Sequence, residues 1–187
     1  MKILPFVIAS LSFAAVPFGQ ASDSAARITV KSEGAGDLVV VETSPSSKLI
    51  RVTPKGVSMD HPVKPDDWST ASLTFRATKD TQIKLRLAGS WKKDGHVWVL
   101  ADNVKARGVE VRNPDFENGL HKTTAPDGWK FLHEDESNAS IIRDPALAAS
   151  GKVCVKVSDS CPVIQRFTIR KDTDVTISFA ARLAQKN

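Results

Sequence analysis

Gly151–Ala181 reads GKVCVKVSDSCPVIQRFTIRKDTDVTISFAA, and it holds three strands in a row. Val153, Val155 and Val157 alternate with other residues ahead of the Ser158-Asp159-Ser160 break. Val163–Ile169 and Val175–Ala181 resume the pattern after further polar breaks. Period-two alternation of β-branched residues between short polar clusters marks strands that bury one face. Toward the N-terminus the pattern recurs at Ile28–Lys31, Leu38–Glu42, Leu49–Thr53, Ser72–Ala77, Ile83–Ala88, Val97–Ala101 and Val104–Val111, then at Trp129–Leu132 and Ala139–Arg143. Helical spacing is absent apart from Pro145–Ala149, which has room for one turn. Short strands without helical spacers predict an all-β sandwich or barrel and exclude a parallel α/β sheet.

The Ser158-Asp159-Ser160 break predicts a hairpin that sets Cys154 roughly opposite Cys161, within reach of a disulfide. The bridge would close an eight-residue loop and contribute about 2.5 kcal/mol in the chain-entropy model. A metal or redox pair is the alternative, but C-x6-C spacing suits neither zinc nor a C-x-x-C centre. These are the only two cysteines, and a structural bridge fits an exported chain. The N-terminus points the same way. Lys2 precedes the apolar stretch Ile3–Phe18, which ends in Gly19-Gln20-Ala21. That pattern predicts a Sec-type signal peptide cleaved after Ala21, leaving residues 22–187 secreted or periplasmic. An uncleaved anchor is the alternative, although the stretch is short for a span and carries Pro5 and Pro17. No later stretch approaches the ~20 apolar residues a span needs, so membrane insertion of the mature chain is not expected.

Hydrophobic residues make up 41% of the 187 and charged residues 25%, which excludes a disordered chain. The net charge of +5 is spread over basic residues that fall singly among the strands. Without a basic run, a nucleic-acid partner is not expected.

Asn113-Pro114-Asp115-Phe116-Glu117-Asn118-Gly119, followed by Pro126-Asp127-Gly128-Trp129, is the most distinctive motif. It resembles the opening strand of the galactose-binding-like jelly rolls found in many carbohydrate-binding modules attached to bacterial glycoside hydrolases. The strands after Gly151 resemble the next ones of that pattern, and Trp68 to Val104 holds pieces that usually come later. The resemblance implies a jelly-roll β-sandwich with permuted strand order over residues 22–187. The alternative is two docked partial sandwiches, 27–111 and 112–187. The resemblance also implies a structural calcium near Glu117 and Asp102, at a site where Asn103 stands in place of a second aspartate. Gly36–Thr53 aligns without gaps on Gly151–Thr168, and KDTQIKLRLA from Lys79 echoes KDTDVTISFA from Lys171 at a different offset. We read these echoes as a hint of related sandwich halves.

No convergent catalytic set is evident, so an enzyme is not expected. His61, His96, His121 and His133 lie in separate turn-like segments outside any metal-binding frame. Glu134, Asp135 and Glu136 form an acidic run beside His133; a minimal glycoside hydrolase built on that run is the remote alternative. Asn138-Ala139-Ser140 matches a glycosylation sequon. Binding depends on the four tryptophans. Trp129, alternating with Phe131, and Trp98, in an apolar run, read as core. Trp68 fits either role. Trp91 stands in Ser90-Trp91-Lys92-Lys93-Asp94-Gly95-His96, a polar hairpin loop suited to an exposed platform. An indole face stacks on the apolar C–H face of a sugar, leaving the hydroxyls to polar partners. Lys92, Lys93, Asp94 and His96 are the candidate partners. The expected ligand is therefore a glycan or polysaccharide; a structural or adhesion role toward a protein partner of the cell envelope is the alternative.

Overall fold

The computed structural model describes residues 24–119, 125–132 and 140–185. The expected signal segment 1–21, His121, the 133–136 cluster and Asn138 lie outside them. Among the described residues every regular element is a strand. In chain order these are β1 (Ala25–Ser32), β2 (Leu38–Thr43), β3 (Lys48–Thr53), β4 (Gly56–Pro62), β5 (Ser69–Ala77), β6 (Thr81–Gly89) and β7 (Trp91–Lys92). They continue as β8 (Gly95–His96), β9 (Val99–Arg107), β10 (Lys130–Phe131), β11 (Ser140–Ile142), β12 (Cys154–Val157), β13 (Val163–Ile169) and β14 (Asp174–Leu183).

Two six-stranded antiparallel sheets pack into a β-sandwich, as the alternation predicts. The first sheet runs β10-β13-β6-β1-β4-β3 and the second β11-β12-β9-β14-β5-β2. Each draws strands from both halves of the chain: β13 pairs with β6, β12 with β9, and β14 with β5 and β9. Neither half holds either six-stranded sheet by itself.

The core is the alternating inner row of both sheets. Ile28, Val30, Met59, Ile83, Leu85 and Leu87 from the first sheet are fully buried, as are Leu73, Phe75, Ile177 and Phe179 from the second. Burying a side chain of this size stabilises the fold by about 1.5–3 kcal/mol before ordering entropy is subtracted. β4 escapes the sequence pattern because His61 takes an inner position beside Val57 and Met59. Its Nδ1 lies 3.0 Å from the Ser47 hydroxyl, and burial pulls its pKa below the ordinary imidazole value.

The Asn113–Gly119 motif corrects an expectation, because it forms no strand. Asn113 and Phe116 adopt φ of 48° and 60°, and the chain folds into a knot of turns. The Asn113 amide donates to the carbonyls of Asn118 and Asp127, while its backbone carbonyl accepts from the Trp129 indole at 2.9 Å. Phe116 is thereby driven into the core, 5.1 Å between ring centres from the buried Trp129. The motif is a plug, and its aromatics are structural.

The Cys154–Cys161 hairpin is also corrected. β12 belongs to the second sheet and β13 to the first, so the chain crosses between sheets at Ser158–Cys161 instead of pairing back on itself. No disulfide joins the two cysteines. The Cys154 thiol faces the Leu147 carbonyl at 3.4 Å and the Cys161 thiol the Leu132 carbonyl at 3.1 Å. Burial, reinforced by the nearby Asp102 carboxylate, pushes the Cys154 thiol up to about 12. It is inert at neutral pH.

Candidate functional site

The site grows from the end of β6. A side chain at Gly89 would overlap the Val97 carbonyl, so glycine alone lets the strand end pack against that segment. The chain then makes a small hairpin in which Trp91 pairs with His96 and Lys92 with Gly95. Lys93 and Asp94 form its tip, and Gly95 at φ 112° turns the chain back. Ser90 anchors the base: its carbonyl accepts from Val97 N at 2.8 Å, and its hydroxyl accepts from Ala25 N at 3.4 Å.

This fold exposes the Trp91 ring to 55%, the most exposed large apolar side chain among the described residues. The His96 ring stands edge-on to it, with centroids 4.7 Å apart at 80°. Trp98 follows at 6.5 Å and 65°. Three rings thus form a row, Trp91–His96–Trp98. The middle ring is fixed by Asp159, whose carboxylate lies 2.6 Å from His96 Nδ1. Lys156 reaches over the Trp98 face with its ammonium 5.4 Å from the ring centre, a cation–π contact. Beside the row is an open cavity of about 700 Å³, with Lys92, Asp94, His96, Trp98, Lys156 and Leu183 in its wall. That size suits a small-molecule or oligosaccharide segment.

Of the residues expected from sequence, Asp94 and His96 stand in the cavity wall, and Trp91 lies outside it, against the His96 ring. Lys93 is exposed at the tip, outside the cavity wall; its neighbour Lys92 takes that place, with Nζ 3.1 Å from the Ser24 hydroxyl. Trp68 is half-buried away from the cavity wall, with the Arg182 guanidinium 5.2 Å from its ring centre. Two wall residues went unrecognised. Trp98 was expected in the core, but Val97 and Trp98 leave the regular strand, and the indole is only partly buried. Lys156 lies on β12, one sheet position from Leu100, and nothing in its local sequence links it to Trp98.

Asp102 and Glu117 do converge, on one segment. Asp102 is fully buried; its Oδ1 accepts from Asn103 N at 2.6 Å, and its Oδ2 accepts from Ala149 N at 2.8 Å and Ser150 N at 3.0 Å. Glu117 Oε1 accepts from Lys152 N at 2.5 Å and Val153 N at 2.9 Å. Burial raises the Asp102 pKa, the three N–H donors oppose that rise, and Glu117 adds to it. These oxygens face N–H groups whose positive ends would repel a cation. Among the described residues, no group of three or more His, Cys, Asp or Glu is arranged to hold a metal ion. The expected calcium does not fit here; the carboxylates clasp the 149–153 loop directly.

Comparison with protein-family models, curated proteins and solved structures gave no match to this chain.

Proposed function

We propose that this chain is a non-catalytic sandwich that binds a glycan at the Trp91–His96–Trp98 row. The single observation that carries the reading is an exposed indole set against His96, which in turn meets Trp98 at a cavity walled by both polar and apolar residues. A sugar ring laid on Trp91 would desolvate both apolar faces. Its hydroxyls would then meet Asp94, Lys92 and Lys156 across the cavity wall. A row of rings held by Asp159 and Lys156 needs little reordering on binding, which lowers the entropic cost of association. Export through the segment ending at Ala21 would bring such a module to extracellular polysaccharide.

The test is binding of residues 22–187 to a panel of uncharged oligosaccharides. We expect a hit that weakens at least tenfold in Trp91→Ala and in Trp98→Ala. A hit indifferent to both substitutions would refute this site. Silence across the panel would turn attention to a protein partner. One observation favours that second reading: Val39, Val41 and Val52 are about half exposed on β2 and β3, the neighbouring edge strands of the two sheets. Unpaired edges with exposed valines are suited to strand addition by another chain.

A further inference from the structure

Basic residues that look scattered in sequence meet on the outer face of the first sheet. Arg27, Thr29 and Lys31 alternate with buried Ile28 and Val30 on β1, so all three point outward. Register extends the face sideways: Thr29 opposes Ser58 and Arg86, and Ser58 opposes Arg51. One row further on, Lys31 opposes Lys84, which opposes Arg166. Two carboxylates share the face. Asp60 is taken by Arg27 through paired contacts of 2.7 and 3.1 Å, and Glu33 by Arg166 and Lys84. Lys31 and Arg51 are exposed and form no ion pair among the described residues. Arg86 donates to the backbone carbonyl of Asp159.

These groups surround a shallow groove of about 420 Å³. Arg27, Lys31, Arg51 and Arg86 stand around it, with Thr29, Thr53 and Ser58 between them. Gly56 contributes no side chain, leaving a trough between Lys31 and Thr53. No carboxylate lines the groove.

We infer that this face is a second binding surface, separate from the tryptophan row, and that it takes an acidic polysaccharide. Charge complementarity sets the sign of the partner. Guanidinium groups pair bidentately with carboxylates, and the interleaved hydroxyls match the hydroxyls of a sugar. Burial and the neighbouring Arg27 charge pull Arg86 below the ordinary guanidinium value, and the nearby Asp159 carboxylate offsets this only in part. The groove offers no aromatic ring for bases to stack on. Val57, the apolar side chain in its lining, is buried and has nothing to insert into a lipid surface.

The experiment titrates residues 22–187 with polygalacturonate and, in parallel, with its methyl-esterified form, which keeps the backbone and removes the charge. We expect binding to the acid form that weakens with salt. It should fall at least tenfold in the Lys31→Glu, Arg51→Glu double variant, checked for an unchanged unfolding transition. It should persist in Lys31→Arg, Arg51→Lys and in Trp91→Ala. Survival in Trp91→Ala separates this surface from the glycan site, so either can fail without the other. Equal binding of the two polymer forms, no binding to the acid form at low salt, or indifference to charge reversal would overturn the inference. Equal or tighter binding to duplex DNA or to vesicles rich in anionic lipid would also overturn it.

Discussion

The clasp at Asp102 and Glu117 and the hairpin at Trp91–His96 both bring acidic side chains to a loop, yet their polar atoms end differently. In the clasp, five backbone N–H groups converge on three carboxylate oxygens, and Asp102 has no contact with water. In the hairpin, Asp94 and Trp91 face solvent, while His96 is held by Asp159 and Lys92 reaches the Ser24 hydroxyl. Polar groups satisfied internally hold a fold together, whereas groups left facing a cavity remain available to a ligand. Chemical type alone does not separate these roles; the location of the hydrogen-bond donors does.

The two regions should therefore respond oppositely to truncation. Asp102→Ala strands the Asn103, Ala149 and Ser150 N–H groups in a part-buried site, and we expect a loss of about 3 kcal/mol in urea unfolding. A loss below about 1 kcal/mol would mean that water replaces the carboxylate and that the clasp is dispensable. Gly151→Ala probes the same clasp more gently. Gly151 sits at φ 64°, and an added Cβ would overlap the Glu117 carboxylate. About 1–2 kcal/mol should be lost, read as a lowered Tm. Trp91→Ala, at the other region, should change stability by less than about 0.5 kcal/mol in the same urea titration. A larger cost would show that the ring supports the fold and would erase the contrast.

Strand periodicity made most of the sandwich legible, because valine and isoleucine at every second position can only line one face. It failed at β4, where a buried histidine replaces a hydrophobe; at Asn113–Gly119 it was the resemblance that implied a strand, and burial there depends on positive φ at Phe116. Crossing between sheets is equally hidden: a Ser-Asp-Ser break looks the same whether the chain pairs back or departs for the other layer. At the ring row, Trp91, Asp94 and His96 were readable because a polar hairpin tip leaves a large ring little cover. Trp98 and Lys156 were not, since their meeting depends on the pairing of β9 with β12. The basic face was missed for a related reason. Single cations spaced through several strands form no run, but a period of two and antiparallel register gather them onto one surface.

The positions of β1 and β14 constrain the order in which the molecule can form. β1 lies between β6 and β4, and β14 between β9 and β5, so the first and last described strands each occupy the interior of a sheet. Until Asp174–Leu183 is in place, the second sheet exists only as two fragments, β2 with β5 and β9 with β12 and β11. β1 can pair with β4 and β6 before β14 is in place, but the second sheet cannot close without β14. Folding is therefore dominated by contacts distant in sequence, the regime in which β proteins fold slowly and close late.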